Sequence, residues 1–358
     1  MRVGLLYSLG PDCNYDVALE QIEEADRLGL NSVLFEEHHG DLGCPAIMPL
    51  IAAAASRTKT IRVGSSNRQL CLEYPINGAE DYAVIDQISR GRVVAGVSAG
   101  EREQEFQAAG VPWSEREGRF GEALELLRTV WSQSNVSFVG EHYRFPLHAQ
   151  GEPGWQREPY KPPFVDQWRR GQIIPEHLPL LPQPLQWPHP PMWVNATSEA
   201  IIQLAGSKGY SLLISPLETE TEVRAKIDLY DRALGQAGRD RNEVEVALCR
   251  ELFMDTDGDV ARDRALPALR SRIEQLRPQA GEDQSGLAVI RGLSDEELLN
   301  QCALYGNHDD LLPRLLSLKA EAGINHLICR TSLPGLNPLD VMHSIRLIAS
   351  SLHSRLQA

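Results

Sequence analysis

Residues 31–40 read Asn31-Ser32-Val33-Leu34-Phe35-Glu36-Glu37-His38-His39-Gly40, an apolar run that ends in two carboxylates and two imidazoles. An apolar run of this length, bounded by turn residues, predicts a strand that is buried on both faces. The four ionisable groups are not core residues, because burying unpaired charge costs too much free energy. We therefore expect them at the carboxyl end of a parallel strand, which is the edge where α/β folds bind ligands.

Strand-like and helix-like segments alternate along the rest of the chain. Eight strands are predicted, at about residues 3–7, 31–38, 61–67, 92–100, 191–196, 210–214, 244–252 and 324–330, with amphipathic or Ala-rich helices between them. This alternation predicts a parallel α/β fold, and eight strands favour the (β/α)8 TIM barrel. A doubly wound open sheet is the structural alternative, although no Gly-x-Gly-x-x-Gly motif follows the first strand.

Two stretches interrupt the alternation. A typical eight-stranded barrel needs ~250 residues, so about 100 residues of this chain remain outside it. We assign them to two insertions in a single domain that spans residues 1–358: a Pro-rich and Trp-rich one at about 138–190, and a charged helical one at about 257–300. The first is too long for a connecting loop, so it predicts a functional insertion or a lid.

The composition excludes several classes of function. The chain is 42% hydrophobic and 23% charged, and its formal net charge of −14 disfavours a general binder of nucleic acid or of anionic membranes, which should be basic. The six cysteines are scattered without a C-x-x-C pair, and no signal peptide or membrane-spanning run is recognisable. These features predict a cytoplasmic protein with reduced thiols.

Three predicted strand ends carry unusual residues. Charged residues follow the second strand at 36–39, small polar residues occupy the end of the third at 64–67, and two glycines flank the end of the fourth at Gly96 and Gly100. Small residues at a strand end let a flat ring or a phosphate approach the backbone closely. The carboxyl edge of the sheet is therefore the predicted site.

A series of segments runs in a recognisable order through the first half of the chain: Ala25–Gly29, Glu37-His38-His39, Ile61–Gly64, Ala79–Arg92 and Gly96–Gly100. In this order the chain resembles the bacterial luciferase-like flavin-dependent monooxygenases. The resemblance implies a barrel that holds reduced FMN at its carboxyl edge, with the FMN supplied by a separate flavin reductase. It implies that O2 adds to FMN as a flavin hydroperoxide, which oxidises a small organic substrate, and that the chain self-associates as a homodimer.

The same resemblance assigns roles to single residues. His38 stands at the family's usual catalytic position, and an imidazole titrates near neutral pH, so it can give or take a proton there. The residues expected to contact the cofactor are Glu37, Ser66, Asn67, Ser98, Arg119, Thr197 and Ser198.

Two pairs among these residues match specific parts of the family's cofactor site. Ser66 and Asn67 match the segment under the flavin ring, where the family often has a non-proline cis peptide. Thr197 and Ser198 match the start of a helix that binds the FMN phosphate, and either Arg119 or Arg116 would add positive charge.

The chain departs from the family pattern at two strand ends. Ser98 and Ala99 stand where luciferase-type sites often carry Cys and Arg, so one partner of the phosphate is missing. Glu73 lies in a Leu-Glu-Tyr-Pro segment that replaces a more usual His-Pro ending, and we expect it to reshape the pocket.

Several of these residues also have ordinary structural interpretations. Thr197-Ser198 fits a helix N-cap without a ligand, and Arg119 fits a surface charge on an amphipathic helix. Arg250 and Arg330 lie inside late strands, where they either reach the cofactor or pair with core carboxylates. No His-x-His stands on an early strand, so no metal site is predicted.

Two other functions fit the same residues. A reduced deazaflavin in place of FMN would transfer hydride without O2, and a non-catalytic partner subunit would keep the barrel without activity; the retained Glu37-His38 pair argues against the latter. In the monooxygenase, one of four tryptophans is expected to help close the pocket, because the reactive oxygen species has to be shielded from water. These are Trp155, Trp168, Trp187 and Trp193.

Overall fold

The computed structural model describes residues 1–10, 13–39, 44, 46–134, 136–146, 157–158, 174–175, 179–277 and 292–357. Eight parallel strands form a closed barrel, namely β1 (Arg2–Tyr7), β2 (Ser32–Phe35), β3 (Arg62–Ser65), β4 (Val93–Ser98), β5 (Met192–Asn195), β6 (Ser211–Ile214), β7 (Val246–Met254) and β8 (His326–Arg330). The ring closes because β1 pairs with β8 and β4 pairs with β5. The predicted (β/α)8 barrel is confirmed, and the open sheet is excluded.

Helices surround the barrel: α1 (Tyr15–Arg27), α2 (Ile47–Arg57), α3 (Pro75–Ser89), α4 (Glu103–Ala109), α5 (Arg116–Ser132), α6 (Glu199–Lys208), α7 (Glu220–Gln236), α8 (Gly258–Leu276), α9 (Asp295–Cys302), α10 (His308–Ala322) and α11 (Pro338–Leu347). Side chains fix where they begin. Asn14 accepts from two first-turn N–H groups of α1, and Thr219 and Glu222 cap α7 reciprocally. Gly209 ends α6 in the left-handed conformation that glycine adopts without strain.

Packed side chains fill the interior of the barrel. The inner layer consists of Leu6, Leu34, Val94, Trp193, Leu213, Ala247, Cys249 and Ile328. Trp193 is fully buried in this layer, and Trp187 is 89% exposed. The prediction that a tryptophan closes the pocket is therefore wrong for these two, while Trp155 and Trp168 lie outside the described residues. The interior therefore has no room for a ligand, and the carboxyl edge is where barrels of this kind carry their active sites.

The small residues of β3 and β4 allow the two strands to pack against each other. A Cβ added at Gly64 would lie 2.0 Å from the carbonyl oxygen of Val94, and one at Gly96 would lie 1.9 Å from that of Ser65. These two glycines are therefore required by strand packing rather than by a ligand. The expected cis peptide is also absent at Ser66 and Asn67, since the cis bonds within the described residues all precede proline.

The two predicted insertions are described in part. In the first, Phe138–Val139 pairs with Arg144–Phe145, and Asp86 of α3 accepts hydrogen bonds from the backbone N–H groups of Leu185 and Gln186. The second contains α8 and α9. The insertion bounds and the single-domain organisation stay predictions. Within the described parts of the chain, no helix has the length and apolar composition needed to cross a membrane.

Candidate functional site

His38 lies just beyond the carboxyl end of β2, where the sequence predicted it. Its side chain is 9% exposed and lies between two carboxylates. The imidazole Nε2 is 3.4 Å from Oε2 of Glu36, and Nδ1 is 3.9 Å from Oε1 of Glu105 on α4. His38 lines a small hollow of about 30 Å³ together with Glu36, Glu101, Arg102, Ser215, Arg272 and Arg330. A proton donor and acceptor is thus held at the mouth of the closed barrel.

Buried ion pairs hold Glu36 in place beneath His38. Arg330 at the end of β8 donates to Glu36 and to Glu251, both at 2.7 Å. Burial alone would raise the pKa of the Glu36 carboxyl, but the positive charges of Arg330 and Arg272 and the contact with His38 hold that pKa well below its usual range. Glu36 is therefore a permanent anion that can accept a hydrogen bond from the imidazole.

The two late-strand arginines have different partners. Of the interpretations left open for them, Arg330 pairs with core carboxylates. Arg250 is fully buried and donates to the backbone carbonyls of Pro216 and Glu218, at 3.1 and 2.9 Å. Arg250 thus supports the loop after β6, whereas Arg330 lies at the hollow.

Glu101, which the sequence did not single out as a site residue, lines the same hollow as His38. Burial raises the pKa of its carboxyl to about 7, with nearby Lys226 acting in the opposite direction and Glu36 and Glu218 adding to the rise. The hydroxyl of Ser215 donates to Oε1 of Glu101 at 3.4 Å. A carboxyl that titrates near neutral pH in a cleft is a candidate acid–base group.

Glu37, Ser66 and Asn67, which were predicted to contact the cofactor, lie together after β2 and β3, and their polar groups bind the protein. The Asn67 side chain accepts from the Glu37 N–H at 2.7 Å and donates to the Glu37 carbonyl at 3.1 Å. The Ser66 hydroxyl donates to the carbonyl of Phe35. The Glu37 carboxylate contacts Nε2 of His39 at 3.1 Å, and this hydrogen bond raises the pKa of His39. These contacts lock the ends of β2 and β3 together.

The residues predicted to bind phosphate, Thr197 and Ser198, follow β5 at the start of α6. Ser198 caps α6 by accepting from the Ile201 N–H, and its hydroxyl donates to Oε1 of Glu117 at 2.6 Å. A carboxylate thus contacts the helix start where the phosphate was expected, so a phosphate there would have to displace Glu117. Thr197 is buried.

Arg119 and Ser98 likewise already have protein partners. Arg119 pairs with Glu115 at 2.9 Å and lies over the ring of Tyr143. Ser98 accepts from the Gly100 N–H at 3.0 Å. The contacts with Glu115 and Gly100 lie within a few residues along the chain, whereas Tyr143 is 24 residues after Arg119.

Two buried polar atoms near Glu105 have no hydrogen-bond partner among the described residues. They are Oε1 of Gln69, whose amide nitrogen donates to Glu105 at 2.7 Å, and Nε of Arg102. One is an acceptor and the other a donor, which fits the alternating N–H and carbonyl groups along the edge of a flavin ring. Arg102 also supplies a cation three residues after Ala99, the position at which luciferase-type sites often carry an arginine.

The volume at the site limits where a ring can lie. The hollow beside His38 has room for about one water molecule, whereas an adjoining cavity of about 580 Å³ is lined by the same Arg272 and Arg330. A flavin therefore needs this larger space or a shift of the side chains around the hollow. Among the residues that the structure describes, no group of three or more His, Cys, Asp or Glu is placed to hold a metal.

Glu73, which the sequence analysis expected to reshape the pocket, is held by an arginine. Arg68 donates to Glu73 at 2.6 and 2.8 Å and to Asp81 at 2.8 Å. Arg68 is buried and balances both carboxylates. Glu73 therefore fixes the loop after β3 through its ion pair with Arg68.

Comparison with known proteins finds a family and relatives that match most of this chain. The model of the luciferase-like monooxygenases matches residues 7–326. An F420-dependent glucose-6-phosphate dehydrogenase of Gordonia bronchialis is 31% identical over 320 residues, which cover 85% of this chain and 84% of that protein. The oxygenase component of a flavin-dependent trigonelline monooxygenase of Acinetobacter baylyi is 26% identical, over 79% of this chain and 71% of that protein.

Solved structures share the fold. The monooxygenase RslO1 of Streptomyces bottropensis aligns with a TM-score of 0.81 over 99% of both chains, at 21% identity. Because the family model spans most of the sequence and the barrel closes as in its members, this chain belongs to the luciferase-like monooxygenase family.

Proposed function

We propose that the protein is the oxygenase component of a two-component monooxygenase that uses reduced FMN and O2 to oxidise a small organic molecule. The observation that carries this proposal is His38, held between Glu36 and Glu105 at the mouth of the barrel beside Glu101. Reduced flavin supplies two electrons to O2, so that one oxygen atom enters the substrate and the other leaves as water. A separate flavin reductase would supply the reduced FMN.

The residues that would hold the flavin are those with unused polar atoms near His38. Gln69 Oε1 accepts and Arg102 Nε donates, so both suit the polar edge of the ring. Glu37 and Asn67 would act indirectly, because their contacts fix the backbone at the ends of β2 and β3. Ser198 would bind phosphate only after releasing Glu117.

His38 and Glu101 would handle protons. The His38 Nε2 faces Glu36, which stays anionic and so orients the imidazole by accepting its N–H. Glu101, with a pKa of about 7, can release a proton during turnover and recover it at neutral pH. The low exposure of His38 keeps bulk water away from the place where O2 is activated.

Replacing His38 with alanine tests the proposal. His38→Ala should lower substrate oxidation by about 10²–10⁴-fold, the typical contribution of a positioned acid–base group, while the Kd for FMN changes little. His343→Ala is the matched control, because that side chain is 46% exposed and lies at α11; it should keep wild-type activity. Wild-type turnover in His38→Ala would remove His38 from the mechanism.

A second candidate is hydride transfer with the deazaflavin F420 on the same barrel. The observation that favours it is the 31% identity to an F420-dependent dehydrogenase over most of both chains. Titrating the protein with FMN and with F420, and then assaying with and without O2, separates the two. Oxygen-dependent oxidation with reduced FMN supports the monooxygenase, whereas oxygen-independent reduction of F420 supports the dehydrogenase.

A further inference from the structure

Four polar side chains meet at the amino end of the barrel, opposite the edge that carries His38. Ser32, Arg62 and His326 are the first residues of β2, β3 and β8, and Glu245 directly precedes β7. We call these four residues the amino-end network. His326 is fully buried, and its ring Nε2 lies 3.0 Å from Oγ of Ser32. Its Nδ1 lies 3.1 Å from Oε2 of Glu245 and 3.2 Å from Nη2 of Arg62.

The amino-end network crosses the end of the barrel between strands that do not pair with each other. Because β2 and β8 both pair with β1, the contact between Ser32 and His326 passes in front of β1 inside the barrel. Gly4 of β1 leaves the space for it, since a Cβ added at Gly4 would lie 2.1 Å from Oγ of Ser32. Arg62 donates to the two carboxylate oxygens of Glu245 at 3.1 and 2.9 Å. This ion pair joins β3 to the start of β7.

Charged groups contact one nitrogen of the His326 ring and limit how many protons the ring can hold. Arg62 can only donate, so its contact with Nδ1 is a hydrogen bond when Nδ1 carries no proton. Within the described residues, the carboxylate that contacts this ring is that of Glu245, and it already pairs with Arg2 and Arg62. A second proton on the buried ring would therefore place a third cation at a single carboxylate, which is costly where water cannot screen the charge.

The basic groups around the ring act in the same direction as its burial. Burial lowers the pKa of His326 well below its ordinary value of 6.5, and four basic groups lower this pKa further. They are Arg62, Arg2, the Met1 amine and His353. The unfolded chain takes up a proton on this ring below about pH 6.5, whereas the folded protein does so only at lower pH. The neutral ring therefore contributes its full stability above pH 6.5, and this contribution is lost as the pH falls.

We propose that the amino-end network is an acid-operated latch, which holds the barrel end closed while His326 is neutral and releases Arg62 when the ring takes a second proton. Arg62 is the part that moves, because its side chain is 23% exposed whereas the ring is fully buried. Its guanidinium also lies 5.2 Å from the ring centre of Trp193, so its release uncovers the inner layer of the barrel. The latch involves neither His38 nor a cofactor.

Urea unfolding of the full-length protein and of His326→Gln, at several pH values between about 7.5 and 5.5, tests the latch. Glutamine keeps a hydrogen-bonding group and does not titrate. Relative to His326→Gln, the unfolding equilibrium constant of the wild type should rise as the pH falls below about 6.5, by up to about tenfold per pH unit, the limit for one proton. His343→Gln is the matched control, because that side chain is 46% exposed; it should follow the wild type. A ratio of wild type to His326→Gln that does not change with pH would overturn the proposal.

Arg62→Gln separates the latch from the effect of burial alone. Without the guanidinium, the ring should accept its second proton more readily in the folded protein, so the acid-dependent rise near pH 5.5 should shrink by about threefold. Arg27→Gln is the control, because Arg27 is a surface arginine with a side chain that is 67% exposed; it should keep the full rise. An undiminished rise in Arg62→Gln would show that Arg62 does not hold the latch.

An NMR titration of the wild-type imidazole tests the same point if a variant does not fold. The ring signals of His326, assigned through their proximity to Trp193 at 5.1 Å between ring centres, should keep their neutral positions between about pH 7.5 and 5.5. A His326 ring that titrates near 6.5 in the folded protein would overturn the proposal. None of these measurements needs flavin, so their outcome is independent of the proposed function.

Discussion

Replacing Glu101 with glutamine should make the protein more stable, and only at neutral to alkaline pH. The carboxyl and the amide have nearly the same shape, so the substitution chiefly removes a group whose pKa burial raises to about 7. In the unfolded chain this pKa returns to its ordinary value of 4.5. The folded protein therefore keeps a proton that the unfolded chain loses, and the wild type loses stability as the pH rises from 4.5 to 7.

The magnitude follows from the same pKa values. Each pKa unit corresponds to about 1.4 kcal/mol, so the difference between 4.5 and about 7 gives an upper value of about 3 kcal/mol. Glu101 is partly accessible to solvent, and water screening reduces the expected gain to about 2 kcal/mol. The full gain is present above about pH 7, and it vanishes below about pH 4.5, where both the folded and the unfolded carboxyl are protonated.

Urea unfolding followed by circular dichroism measures this gain. The free energy of unfolding of Glu101→Gln should exceed that of the wild type by about 2 kcal/mol near pH 8 and by less than about 0.5 kcal/mol near pH 4.5. Glu103→Gln is the control, because Glu103 is an exposed carboxyl on α4; its effect should be small and the same at both pH values. A gain for Glu101→Gln that does not depend on pH would show that the Glu101 carboxyl does not carry a raised pKa in the folded protein.

Three further predictions concern the barrel and its edge. Arg330→Met should lower the free energy of unfolding by about 3–5 kcal/mol, because it removes the cation that pairs with the buried carboxylates of Glu36 and Glu251 at 2.7 Å; urea unfolding measures this. Gly96→Ala should lower the free energy of unfolding by more than about 3 kcal/mol, since the added Cβ would lie 1.9 Å from a carbonyl oxygen. Gly235→Ala in α7 has open space and should raise the free energy of unfolding by about 0.5–1 kcal/mol. Thermal unfolding of the two variants compares them. If protonated Glu101 is the proton donor, the rate of substrate oxidation should fall as the pH rises through about 7, and Glu101→Gln should remove that limb of the pH–rate profile.

The sequence predicts the barrel well because the patterns that indicate each strand and helix are local along the chain. Each strand is an apolar run followed by an amphipathic helix, and only one closed arrangement buries eight such strands on both faces. His38 was found for the same reason: it directly follows a buried strand, so the fold itself places it at the carboxyl edge. The Trp193 hypothesis failed because a tryptophan in a strand can face the barrel interior as readily as its edge.

The charge network could not be predicted because it is assembled across the fold. Glu36 and Arg330 lie 294 residues apart and meet only when β1 pairs with β8. Arg272, the second cation near Glu36, lies on α8 in the second insertion. Glu101 carried one usable signal, a carboxylate directly after a glycine at a strand end, but its raised pKa depends on burial that the sequence does not reveal.

The residues predicted to bind phosphate also make contacts that the sequence does not reveal. Ser198 was correctly placed at a helix start, which a local N-cap pattern indicates. Its hydroxyl contacts Glu117, 81 residues away, and no local pattern reports that contact. Polar residues at a predicted site are therefore easier to locate along the chain than to assign to a ligand.

A crystal structure of the protein soaked with FMN would test the role of His38 most directly. The flavin ring should lie at the carboxyl edge of the barrel, with the His38 imidazole within about 4 Å of the ring, the distance of van der Waals contact. Ordered flavin at a place remote from His38, or an imidazole that faces away from the bound ring, would contradict that role.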